Sequence, residues 1–194
     1  GSGVRLDNIA IVKGNGRAMG AAYVGWRSGT YSFNIDGRGI SVESIMLAQT
    51  GRMPLSGLVD FTAGGSGTFD MPRYDVRATV RDFFVADEGI GELVGDININ
   101  GDMMTLKIEA ASSRLAVSGA GRIALTPEMD AELTFNVADT SLDPYVRTFE
   151  PRLSPFTTAV ASGTVRVVGE LANIDNLLVD ATVDRFDVSL FDYR

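Results

Sequence analysis

The 194-residue chain contains no cysteine and no histidine, a single tryptophan and only two lysines. Without histidine there is no Ser-His-Asp triad, no Cys-His pair and no His-ligated zinc, and without cysteine there is no thiolate metal site or disulfide framework. Most familiar catalytic constellations are thereby excluded, so the expectation is a protein that is not an enzyme and holds no metal or cofactor. Basic side chains number 17 against 25 acidic ones, a formal charge of −8. Nucleic acid is not an expected partner, because phosphate-backbone binding relies on clustered Lys and Arg and no such cluster is present. No apolar run reaches the roughly 18 residues of a transmembrane helix. The opening Gly1-Ser2-Gly3 lacks a basic or apolar leader; it is expected to be a tag remnant on a piece of something longer.

What the chain has is 22 glycines, 45% hydrophobic residues and a recurring alternation of apolar and polar positions. Period two puts successive side chains on opposite faces of a strand. Tyr31, Phe33 and Ile35 alternate with Ser32, Asn34 and Asp36; Tyr74, Val76, Ala78 and Val80 with Asp75, Arg77, Thr79 and Arg81. Ile97 and Ile99, then Met104, Leu106 and Ile108, then Leu133, Phe135 and Val137 behave alike. In the last run Val179, Ala181 and Val183 give way to Phe186, Val188 and Leu190, a phase slip at Asp184-Arg185 that predicts a bulge. About twelve strands are expected, near 4–12, 17–26, 29–36, 56–63, 66–70, 73–86, 91–99, 102–110, 114–124, 130–138, 158–171 and 176–191. Asn100-Gly101 predicts a tight hairpin. Ser41–Leu47 and Ser141–Val146 open with a capping serine and an acid in the first turn, and are expected to be short helices.

The pattern repeats. Phe33 matches Phe135 at a spacing of 102 residues, and Ala78-Thr79-Val80-Arg81-Asp82-Phe83 matches Ala181-Thr182-Val183-Asp184-Arg185-Phe186 at 103. Each copy carries a strand, a capped helix, a Pro-bearing linker and a Gly-containing hairpin, so a periodic architecture is expected. The division is residues 4–124 for a first β region and 125–194 for a second, truncated one within the same sheet.

Several motifs invite a chemical reading that their context removes. Asp96-Ile97-Asn98-Ile99-Asn100-Gly101 resembles the front of a calcium loop, but the twelfth position is Lys107 where a bidentate Glu is required. Gly14-Asn15-Gly16-Arg17-Ala18-Met19-Gly20 nearly spells a dinucleotide loop, with its last glycine one residue late and no long helix after it, so a turn is expected. Gly64-Gly65-Ser66-Gly67 has the outline of a nucleophile elbow without a base to activate Ser66, and a tight turn or bulge is expected there. Acid pairs such as Asp87-Glu88 and Glu88 with Glu92 sit among many acids in polar phases, which predicts a solvated face rather than a glycosidase dyad. Tyr23, Trp26, Tyr31 and Phe33 suggest sugar stacking, but Tyr31 and Phe33 occupy the apolar phase of a core or groove wall.

The remaining signal is collective: paired side by side, these strands present one continuous apolar face that two short helices cannot cover. A barrel, a sandwich or a U-shaped sheet would hide it, and a U wide enough to leave a slot needs an apolar filler such as a lipid acyl chain. The expected lining is Phe33, Ile35, Val76, Val80, Ile97, Ile99, Leu106, Ile108, Leu115, Val117, Leu133, Phe135, Val137, Val165, Val167, Val179 and Val183.

Pro54-Leu55-Ser56-Gly57, Gly67–Tyr74, Ile90–Gly95 and Leu115–Pro127 resemble the repeats of the TamB and AsmA-like bacterial envelope proteins, over roughly residues 17 to 190. The second copy departs at Val165-Arg166-Val167, where the first is Gly-rich. The resemblance implies an all-β fold, a long U-shaped or taco-like sheet in the periplasm, anchored in the inner membrane by an upstream helix. It implies transport of phospholipids between the two membranes along an apolar groove formed with neighbouring repeats. For TamB-like members it also implies help in assembling outer-membrane barrels with a barrel partner.

Overall fold

The computed structural model describes residues 2–44, 54–85, 88–112, 115–142 and 158–189. They form one antiparallel sheet of eleven strands: β1 (Gly3–Lys13), β2 (Gly16–Gly25), β3 (Thr30–Ser41), β4 (Leu55–Thr68), β5 (Arg73–Val85), β6 (Glu88–Asn100), β7 (Met103–Ala111), β8 (Ala116–Ala124), β9 (Asp130–Ser141), β10 (Thr158–Glu170) and β11 (Leu177–Ser189). Strand order follows chain order, and β1 does not meet β11, so the sheet is unclosed. Each strand packs substantially against its hydrogen-bonded neighbours alone. The fold is therefore neither the barrel nor the sandwich that would have sealed the apolar face. Helical structure among the described residues is confined to two 3-10 turns, Val42–Ser44 and Ile174–Asn176.

Chain order is preserved because most connections are short. Gly14, Gly29 and Gly101 adopt left-handed φ in the hairpins that follow β1, β2 and β6, a conformation glycine reaches without a Cβ clash. The Asn100-Gly101 hairpin lies where expected, and the Gly14–Gly20 stretch is the β1–β2 turn running into β2. Two longer connections, 42–54 and 142–157, leave the sheet from the same end, six strands apart.

Three expectations need correction. The segments 56–63 and 66–70 are one strand, β4, so eleven strands replace twelve, and Gly64-Gly65-Ser66-Gly67 makes no turn. The proposed helix at 41–47 begins instead as the last residue of β3 followed by a 3-10 turn, with 45–47 outside the described residues. β9 runs on to Ser141 instead of ending at 138, while 143–146, where the second helix is expected, lie, like Asp87, outside the described residues.

Bulges interrupt the ladder at recurring places. Register shifts follow Gly37 in β3, Val80 in β5, Val137 in β9 and Val183 in β11. The last is the slip read at Asp184. Gly39, Asp82 and Asp139 in the others take left-handed φ of 61°, 50° and 36°, which Gly and Asp tolerate better than bulkier residues. Beyond three of the bulges an apolar residue, Ile40, Phe83 or Phe186, returns to the side it left, and beyond the one in β9 the position falls to Thr140.

Candidate functional site

Residues directly opposite in an antiparallel register point to the same face, so the pairing defines that face. One row runs Leu6, Ala22, Phe33, Gly65, Tyr74, Ile99, Met104, Ile123, Ala131, Gly169, Leu177. The next passes through Ile35, Val76, Ile97, Leu106, Leu133, Val167 and Val179, and a third through Gly37, Phe61, Ile108, Phe135 and Val165. A fourth, from Ile40, includes Val59, Val80, Leu93, Val117, Val137 and Val183. No charged side chain enters any of the four, and the only polar side-chain atom is the Tyr74 hydroxyl.

Sixteen of the seventeen residues expected to line a groove fall in these rows, on one face. Leu115 lies just before β8, half-buried, its N–H donating to Ser112 Oγ at 3.0 Å. Sequence reasoning missed Leu6, Ile9, Ile11, Phe61 and Leu93 as members of the same surface. Phe61 extends the phase of Val59 past Asp60, but only Ala and Gly continue that phase after it in β4.

Among the described residues no second layer covers this face. Its residues are mostly half-buried, Ile97 retains 39% exposure, and Val183 on the outer strand retains 65%. Among the described residues buried apolar side chains are few: Tyr31, Val42, Val59, Ile90, Ala110, Ile123, Ala131 and Ala159. The chain exposes 13022 Å², against about 8,900 Å² for a compact monomer of its mass.

At one margin the face ends in an aromatic cluster. Tyr31 stacks on Phe33 and Phe69 at centroid distances of 6.4 and 6.0 Å, and Tyr74 lies 5.5 Å from Tyr31 and 5.7 Å from Phe33. The Arg73 N–H donates to the Tyr31 hydroxyl at 2.9 Å. A hydrogen bond to Tyr31 that favours the neutral form, with some desolvation, holds the Tyr74 phenol above its ordinary pKa.

The other face carries the charges. Glu132 accepts from Arg166 at 2.7 Å and from Arg122 at 2.9 Å, and these two guanidiniums hold its carboxyl below the usual range. A shallow depression of about 430 Å³ is lined by residues 34–36, 62–64, 75–77, 96–98 and Lys107, so the charged and amide side chains of this face share it with Ile35, Ala63, Val76 and Ile97. Asn98 donates to Asp75 at 2.6 Å and Arg77 faces Asp96 at 3.6 Å. Among the described residues no group of three or more acids stands close enough to hold a metal ion.

No family model, curated protein or solved structure matches the chain. The geometry of the sheet and the resemblance of its sequence therefore carry the functional argument.

Proposed function

We propose that the chain is a non-enzymatic segment of a periplasmic, inner-membrane-anchored protein that carries phospholipids towards the outer membrane, its apolar face shielding their acyl chains. The observation that carries this reading is the set of four uninterrupted rows. With strands about 4.8 Å apart and same-face residues about 6.8 Å apart, they make a band of roughly 20 by 48 Å. A protein partner covering roughly 1,000 Å² would bring about five to ten hydrogen bonds, and these rows offer a single hydroxyl. Hydrocarbon asks for none. One leaflet of a bilayer core is about 15 Å thick, so an acyl chain fits across the band while its head group stays at the margin. Each CH₂ transferred from water contributes about 0.8 kcal/mol, and similar burial along the band permits movement from strand to strand. Curvature of the sheet into a taco-like groove, and two copies of one repeat, complete the proposal. The six-strand spacing of the long connections and the positive φ of both Gly67 and Gly169, 102 residues apart, support the repeat.

The test is photo-crosslinking in vesicles of phosphatidylethanolamine and phosphatidylglycerol, with a photoreactive side chain at Phe135 or at its neighbour Asn136 on the opposite face. Phospholipid adducts from position 135 alone are expected. Equal labelling, or none from a folded protein, overturns the reading. A protein found dimeric and unlabelled uses the face to meet a second copy.

A second reading rests on the outer strands. β11 is exposed on both sides from Leu178 to Ser189, and among the described residues none pairs with its outer edge. Such an edge suits strand addition by another chain, as in a module assisting assembly of an outer-membrane barrel partner.

A further inference from the structure

Glycine inside a strand weakens it, yet the apolar face carries glycines whose backbone makes no demand for glycine. Gly37, Gly65, Gly95 and Gly119 all lie outside the positive-φ set. At three of them the reason is a ring. Gly37 is paired with Phe61, Gly65 with both Phe33 and Tyr74, and Gly119 with Phe135. A Cβ at Gly37 would fall 2.2 Å from Phe61 Cε1; at Gly65, 2.6 Å from both Phe33 Cε1 and Tyr74 Cδ1; at Gly119, 2.6 Å from Phe135 Cδ1. In each case the ring occupies the place a side chain would take, lying over the neighbouring backbone instead of standing away from the sheet. Gly95 shares the row of Gly37 and Gly119 but has no ring opposite, and its nearest neighbour would be 3.8 Å away.

We infer that Gly37, Gly65 and Gly119 set the clearance of the apolar face, by letting each cross-strand ring lie flat, and so determine how much acyl chain the face holds. The inference rests on the lipid reading above. A side chain at any of the three pushes the ring into another rotamer, out into the space the hydrocarbon would use. Rings over glycines also shield backbone hydrogen bonds. If shielding were their whole role, substitution would alter stability and leave lipid capacity unchanged.

The experiment compares the full chain with Gly119→Val, with Gly64→Val on the opposite face, where a Cβ would lie 3.8 Å from its nearest neighbour, and with the double variant Gly119→Val/Phe135→Ala. Each is loaded from phosphatidylethanolamine and phosphatidylglycerol vesicles, and bound phospholipid is measured per folded molecule, with folding followed by circular dichroism. Gly119→Val is expected to show a several-fold loss of bound lipid, Gly64→Val none, and the double variant recovery, because the displaced ring is gone. Should Gly119→Val fail to fold, Gly119→Ala adds the one carbon that meets the ring and carries the same expectation. A folded Gly119 variant that binds as much lipid as the parent, or a Gly64→Val that loses as much, overturns the inference while the lipid reading stands. A parent chain that binds no lipid overturns the lipid reading itself, and the clearance role falls with it.

Discussion

Thr140 supplies with a hydroxyl what the ladder loses to a bulge. It is 2% exposed, and its Oγ1 accepts from the Ala116 N–H at 3.1 Å beside the left-handed Asp139. Thr140→Val keeps the shape but leaves that N–H without its acceptor, and should cost about 1–3 kcal/mol in urea unfolding. Glu132 behaves differently, because it is open to water. Its depressed pKa means the ion pairs with Arg166 and Arg122 stabilise the fold above the unfolded carboxyl's range, and the effect is lost as pH falls through the folded value. Glu132→Gln should therefore lower Tm slightly at pH 7, with the difference shrinking as the pH falls and vanishing only below the depressed folded value, where both forms are neutral. At this scale the sequence was readable wherever a large apolar residue marked the phase. It was unreadable at Gly64-Gly65, since glycine carries no hydropathy to mark a face and the rings that use Gly65 come from β3 and β5.

Strands emerged from the sequence more faithfully than anything else, because alternation needs only local order. The slip at Asp184 was visible because large residues flank it, whereas the bulge at Asp139 was not, the expected strand having ended at residue 138. β4 was split in two by its glycines, whereas the ladder carries β3 and β9 on to Ser41 and Ser141, past the expected strand ends at 36 and 138. Interior and outer strands should respond differently to substitution. Ile123 in β8 is 6% exposed and Val183 in β11 is 65% exposed. Ile123→Ala should cost at least about 2 kcal/mol, while Val183→Lys should stay within about 0.5 kcal/mol, both measured by chemical denaturation. That contrast distinguishes residues that hold the sheet from residues that merely share its surface.

Taken whole, the molecule buries less than its length allows. An unfolded chain of 20.7 kDa exposes about 30,000 Å², so folding to 13022 Å² hides about 57% of it, where a globule hides about 70%. The urea m-value scales with the surface released and should fall about a fifth below that of a globule of equal length. A dye that fluoresces on apolar surface should bind the native state, and lipid should displace it.

Because every strand leans chiefly on its predecessor and successor in the chain, stability accumulates along one dimension. Order can nucleate in any hairpin and spread outward, each closure spanning only a short stretch of polypeptide. Removing β10 and β11 should leave β1–β9 cooperatively folded, a loss from the end rather than a collapse. Reach then becomes a matter of counting: each added hairpin would extend the sheet by about 10 Å without disturbing what was already built.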